Sequence, residues 1–192
     1  MTDPLVTVST GALRGVRRPG SLAFLGIPFA AAPVGANRFA APQPVAPWDG
    51  VRDATSYGPT PQRGDTGIPL IPEPSVPGEA TLNVNVFTPD TDAADGFPVL
   101  VWIHGGGYIS GSPASPWYDG DTFARQGIVV VTLSYRLGFD GFGAIEGAVS
   151  NRGVRDWIAA LEWVQQNIAA FGGDPGRVTI GGQSAGGGAV LT

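Results

Sequence analysis

Two unbroken apolar runs of strand length, Val99-Leu100-Val101-Trp102-Ile103 and Ile128-Val129-Val130-Val131-Thr132-Leu133, constrain the fold of this 192-residue chain more than any other feature. A strand with one wet face alternates apolar and polar residues, so a run without alternation fits a strand covered on both faces, as in a parallel sheet flanked by helices. Between the later strands the pattern predicts a helix from about Val154 to Ala170. Trp157, Leu161, Val164 and Ile168 form one apolar stripe there, and Gly172-Gly173-Asp174-Pro175 stops it. A last short strand, Val178-Thr179-Ile180, runs into Gly181-Gly182-Gln183-Ser184-Ala185-Gly186.

The first part of the chain reads as short strands joined by turns. Leu5 to Ser9 alternates, Thr10-Gly11 is a turn, and Ala12 to Arg17 is expected to return as the second arm of a hairpin. Ala30 to Pro47 is too rich in Ala and Pro for regular structure. Thr60 to Gly78 reads as a long proline-rich loop, a length uncommon unless functional. Leu82 to Phe87 alternates like a half-buried strand. The expected class is α/β, a sheet with an antiparallel opening, and no internal repeat is found.

Composition narrows the chemistry. The sequence has no cysteine and no lysine, so its 11 basic side chains are all arginine, and it has one histidine. A Walker-type phosphate loop, a Schiff base, a Ser-Lys mechanism and a thiol nucleophile are excluded within the chain. A zinc site would have to be built from His104 and carboxylates alone, short of the usual ligand sets, so neither a metal nor a cofactor is expected. The 30 glycines and 18 prolines approach the range of low-complexity chains, but 43% hydrophobic content and clear periodicity argue for a packed core. A net charge of −5 makes a nucleic-acid partner a poor fit. The amino terminus lacks the regions of a signal peptide, and no apolar run approaches a membrane span; the expectation is a soluble, cytoplasmic protein.

Two glycine-rich turns can carry chemistry. Gly182-Gln183-Ser184-Ala185-Gly186 fits Gly-x-Ser-x-Gly, with an apolar strand before it and a helix-compatible segment after it. A sharp strand-to-helix turn lifts a serine hydroxyl clear of the sheet, and the residues two before and two after must be nearly without side chains to let strand and helix pass. The alternative is a plain glycine turn with a capping serine. A dinucleotide-binding loop fails on spacing, because its third glycine falls on Ser110 in the upstream cluster and on Leu191 here.

The second turn, His104-Gly105-Gly106-Gly107, directly follows the strand at Val99 to Ile103. Acyl transfer needs two or three amides aimed at a developing oxyanion, and a glycine run lets the backbone approach that closely; a flexible strand exit is the alternative. His104 lies inside this turn and precedes Ser184, whereas the base follows the serine in this arrangement. It is therefore read as a structural residue that fixes the turn by hydrogen bonding.

These residues, with Phe24-Leu25-Gly26-Ile27-Pro28-Phe29-Ala30, Leu82-Asn83-Val84-Asn85-Val86-Phe87-Thr88-Pro89, Tyr135-Arg136-Leu137-Gly138, Asn151 with Gly153 and Asp156, and Phe171-Gly172-Gly173-Asp174-Pro175, make the chain similar to a known family. It resembles the type-B carboxylesterases, the group that includes bacterial p-nitrobenzyl esterases and the cholinesterases. The resemblance implies an α/β-hydrolase fold, a mostly parallel central sheet with antiparallel N-terminal strands. It also implies that Ser184 attacks a carboxylic ester of a small-molecule substrate to form an acyl-enzyme, with the amides of Gly106, Gly107 and Ala185 as the oxyanion hole.

Three departures qualify the resemblance. Thr60 and Thr81 stand where the family usually has two cysteines closing the long loop, which fits a reducing compartment and predicts that the two threonines lie close together. Gln183 stands where the residue before the nucleophile is commonly Glu, which should weaken any preference for cationic substrates. The family's catalytic acid and histidine come well after the nucleophile, and this sequence ends at Thr192. Residues 1–192 are thus expected to be the amino-terminal portion of one catalytic domain, inactive alone and partnered by the remainder. The competing reading is a non-catalytic binding or adhesion-type member of the same fold.

Overall fold

The computed structural model describes residues 2–61 and 71–192, so the middle of the loop read over Thr60 to Gly78 lies outside the described residues. Along the chain come β1 (Leu5–Val8), β2 (Gly11–Arg14), β3 (Val16–Arg18), β4 (Ser21–Pro28), β5 (Val51–Asp53), β6 (Asn83–Thr88) and β7 (Phe97–Ile103). Then follow α1 (Asp121–Ala124), β8 (Val129–Leu133), α2 (Gly138–Phe142), α3 (Arg152–Asn167), β9 (Gly173–Gly182) and α4 (Ala185–Val190). A small sheet has the order β1-β2-β5, and a six-stranded sheet has the order β3-β4-β6-β8-β7-β9. In the large sheet the pairings from β3 to β8 are antiparallel, while β7 runs parallel to both β8 and β9.

The expected hairpin forms, with Val8 opposite Gly11, but its second arm breaks. Gly15 separates β2 from β3, and β3 pairs with β4 in the other sheet. A Cβ at Gly15 would stand 2.6 Å from the Ala23 carbonyl oxygen, so the crossing needs a glycine. Strand β4, which the sequence pattern does not announce, ends at Pro28 and carries Gly26 with φ 68 at an irregularity in the β4–β6 register.

Strand β6 departs most from its sequence reading. All six of its residues are buried, including Asn83, Asn85 and Thr88, so it is not half-buried. Its polar residues face protein groups in place of water. Asn85 accepts the Gly26 N–H at 2.9 Å and donates to Thr132 Oγ1 at 2.9 Å, which ties β4 to β8 across the strand. Asn83 donates to the carbonyls of Pro59 at 2.8 Å and Ala80 at 3.0 Å, clasping the two ends of the long loop one residue away from Thr60 and Thr81. A buried amide left unpaired costs about 1–3 kcal/mol, and these pairings remove that penalty.

Helix α3 forms within about two residues of its expected start and ends in a 3-10 turn, Ile168–Phe171, with Gly172 at φ 77 as its left-handed stop. Trp157, Ala160, Trp163, Val164 and Ile168 pack with Val99, Val101, Val129 and Val131 of the sheet, while Leu161 lies at the half-buried margin of the stripe. The opposite face is covered by Ala124 of α1 against Phe87 and Val130. Strand β8 is buried throughout, as its unbroken run requires, and β9 extends well beyond the three apolar residues that announce it. It ends the sheet order among the described residues, and Ile180 is 36% exposed.

Two buried arginines hold the loops above the strand ends. Arg136 makes a paired contact with Asp156, at 2.9 and 2.7 Å, and donates to the carbonyls of Arg38 and Ala40. Burial pushes the Asp156 carboxyl up while Arg136 pulls it down. Removing one partner of such a pair strands the other charge and costs about 3–5 kcal/mol. Arg152 is fully buried and spends its guanidinium on four carbonyls, those of Phe139, Asp140, Gly143 and Val149.

Candidate active site

Parallel strands carry their following loops to one edge, so the turn after β7 and the turn after β9 meet. Ser184 sits between β9 and α4 with φ 55 and ψ −122, a region that a residue with a Cβ enters only at a cost of about 1–3 kcal/mol. It is exposed, as the sharp turn predicts. The flanking glycines are fixed by close approach. A Cβ at Gly182 would stand 2.4 Å from the Gly186 backbone, and one at Gly186 would stand 2.1 Å from the Ile103 carbonyl oxygen. The fifth residue of the motif is therefore small because α4 lies directly on the end of β7.

The His104–Gly107 turn is packed against this elbow. A Cβ at Gly105 would lie 3.0 Å from Ser184 Cβ and 2.6 Å from the Gln183 carbonyl oxygen, so the two turns touch through backbone. Gly106 and Gly107 have φ 113 and 62, and the carbonyl of Gly106 receives the N–H groups of Ile109 and Ser110. Among the described residues, no hydrogen bond uses the N–H of Gly106, Gly107 or Ala185. At Ala185 this follows from its place at the start of α4, where an N–H has no intrahelical acceptor. Free backbone donors beside an exposed hydroxyl are the components that stabilise a tetrahedral oxyanion.

His104 is 1% exposed and stacks on Tyr135 at 4.5 Å between ring centroids. Its Nδ1 lies 2.8 Å from the Gly105 carbonyl oxygen, which can only accept, so Nδ1 carries the proton and holds the turn. Tyr135 donates from its hydroxyl to the His104 carbonyl at 3.1 Å, and burial pushes that phenol well up. The turn's first residue is thereby gripped from both sides.

One contributor has no motif to announce it. Tyr118, from a turn far upstream of the elbow, donates to Gln183 Oε1 at 3.1 Å while its oxygen faces the Gly105 N–H. Burial raises the pKa of this phenol and the Gly105 N–H opposes the rise. Tyr118 thus clamps one glycine turn to the other, a contact that only the sheet's topology creates. Tyr108 has φ 64 and packs against Phe142 and Trp157. Its hydroxyl lies 3.0 Å from where a Cβ of Gly188 would be, one turn of α4 beyond Ser184. No group of three or more metal-ligating side chains occurs among the described residues, and no helix there is long and apolar enough to cross a membrane.

The same architecture occurs in solved esterases. A thermophilic p-nitrobenzyl esterase structure superposes with a TM-score of 0.92 at 45% identity, covering 98% of this chain and 40% of that one. A carboxylesterase structure from Geobacillus stearothermophilus gives 0.86 at 44% identity, covering 97% of this chain and 39% of that one. Among curated proteins, the para-nitrobenzyl esterase of Bacillus subtilis is 46% identical over 97% of this chain and 39% of its own length. The phenmedipham hydrolase of Pseudarthrobacter oxydans is 44% identical over 97% of this chain and 38% of its own length. The chain therefore spans about two fifths of the relatives it matches. The model of the carboxylesterase family matches residues 2–192, and with the α/β-hydrolase sheet and the elbow already described, the chain belongs to that family.

Proposed function

We propose that this chain carries the nucleophile and oxyanion hole of a serine carboxylesterase. The observation that carries the reading is Ser184, held exposed at φ 55 and ψ −122 against a turn whose Gly106 and Gly107 amides, like that of Ala185, have no acceptor among the described residues. Ser184 Oγ adds to the ester carbonyl, and its proton passes to a base. The carbonyl oxygen becomes an oxyanion held by the three amides, and collapse expels the alcohol and leaves an acyl-serine. Water then attacks the acyl group, and the carboxylic acid leaves with Ser184 regenerated. No metal or cofactor is assigned a role.

His104 is bound into the glycine turn through its Nδ1 and lies on the chain before the serine, so the base and its orienting acid come from residues beyond these 192. The exposed outer edge of β9 supports the same reading, since a central strand of this fold needs a further neighbour. We take the chain to be the amino-terminal part of one catalytic domain, acting on small carboxylic esters in the cytoplasm and inactive without the remainder. Gln183 is neutral where the family commonly carries Glu, which weakens any preference for cationic esters.

Labelling with a fluorophosphonate tests the assignment. In the complete enzyme the probe should attach to Ser184, and Ser184→Ala should lose labelling and about 10⁴-fold or more of the esterase turnover. A folded Ser184→Ala enzyme that keeps its turnover overturns the reading, as does a folded complete protein that takes no label, which would favour a binding role.

A further inference from the structure

The returning arm of the long loop reaches the active-site turn. Glu73 Oε2 accepts the Gly111 N–H at 3.0 Å, and Ser112 Oγ donates to the Pro74 carbonyl at 2.8 Å. Two residues on, Val76 exchanges hydrogen bonds with Thr60 through its N–H and its carbonyl, which anchors the arm to the loop's first end. Gly111 closes the segment that the His104–Gly107 turn opens. It has φ 107, and a Cβ there would stand 2.2 Å from His104 Nδ1 and 2.3 Å from the Gly105 carbonyl oxygen. The backbone of Gly111 is thus pressed on the two groups whose mutual hydrogen bond sets the turn.

We propose that Glu73 is a positioning residue for the oxyanion turn, acting through the buried Gly111 amide to hold the Gly105 to Gly107 peptide planes in place. This rests on the esterase reading above. The Gly111 N–H is buried, and the segment's own carbonyl at Gly106 is already taken by Ile109 and Ser110. With the carboxylate removed, Gly111 must turn toward another acceptor, and it cannot turn without moving His104 and the Gly105 carbonyl it touches. The Gly106 N–H shares a peptide plane with that carbonyl, and the Gly107 N–H lies in the next plane along. The carboxylate also stands near enough to the site for its charge to add to the upward push on the Tyr118 and Tyr135 phenols.

Transition-state contacts are sensitive to displacements well under an ångström, so the expected signature is in kcat and not in KM. In the complete enzyme, with p-nitrophenyl acetate as substrate, Glu73→Ala should lower kcat about tenfold and leave KM within about twofold. It should weaken a trifluoromethyl ketone inhibitor by a similar factor, with rates normalised to fluorophosphonate-titrated sites. Glu73→Gln keeps an acceptor of the same reach and should restore kcat to within about threefold. Ser112→Ala loosens the same arm without removing the acceptor and should leave kcat nearly unchanged. A Glu73→Ala kcat within twofold of the parent, a Gln variant as poor as the Ala variant, or a Ser112→Ala loss as large as that of Glu73→Ala each overturns the inference. If Glu73→Ala does not fold, Glu73→Asp replaces it: a shortened carboxylate that matches both the parent and the Gln variant in kcat also overturns it. Loss of turnover in Ser184→Ala together with full turnover in Glu73→Ala would sink only this inference and leave the esterase reading standing.

Discussion

The two glycine-rich turns reach their shapes by different physics. In the elbow, neither Gly182 nor Gly186 has a positive φ; both are small because other backbone lies against them, and the unusual conformation falls on Ser184. In the turn after β7, Gly107 itself takes φ 62 and nothing but Ile109 Cγ1, at 3.9 Å, comes near where its Cβ would be. One turn is rigid because it is crowded, and it stores strain on the residue proposed to react. The other is crowded at Gly105 and Gly106, where a Cβ would meet Gln183 and the Ser110 carbonyl oxygen, but at Gly107 it is shaped by conformational preference and left open.

That contrast can be broken by single methyl groups. Gly186→Ala should destabilise the complete protein by about 3 kcal/mol, the upper end of overpacking costs, because the new methyl meets the Ile103 carbonyl oxygen and neither strand nor helix can retreat. Denaturant unfolding measures it, and a loss below about 1 kcal/mol would mean that the elbow is not crowded. Gly107→Ala should lose only about 1–2 kcal/mol, the ordinary penalty for an L-residue in the left-handed region, with fluorophosphonate labelling of Ser184 retained. A larger loss there would erase the distinction between the turns.

The smallest expected effect lies at the other end of β9. The Asp174 carboxyl is held below its ordinary value by hydrogen bonds from Arg177 and from the Gly176 N–H, all at the surface. A depressed carboxyl contributes its stability above the ordinary carboxylate value and loses it as the pH falls through the folded value. Unfolding monitored between neutral pH and about pH 3 should therefore show a slightly shallower acid dependence in Asp174→Asn than in the parent. An unchanged acid dependence would show that this end of the strand is held by the backbone alone.

Much of the fold was legible because its elements carry strong local signals. The runs at Val99–Ile103 and Ile128–Leu133 became adjacent parallel strands, and the stripe on Trp157, Leu161, Val164 and Ile168 became the inner face of α3, with Leu161 at its half-buried margin. Strand β6 misled because alternation marks two different surroundings but does not say what covers the polar side. Asn83 and Asn85 face loop carbonyls and a neighbouring strand, and no sequence pattern distinguishes those from water. Strand β4 went unread because it does not alternate, and the structure accommodates its Pro28 at the strand's end and its Gly26 at a register irregularity.

The candidate site divides in the same way. By itself the sequence determined the serine, the two glycine turns and their order, because sharp turns and close backbone approach are local demands that few residue types can meet. Only the tertiary structure decided which distant groups hold those turns. Tyr118 on Gln183, Glu73 on Gly111 and Tyr135 on His104 come from segments whose spacing carries no periodic signal. The physical reason is range: turn chemistry is fixed within a few residues, whereas a hydrogen bond between loops exists only after parallel strands have brought their ends to one edge of the sheet.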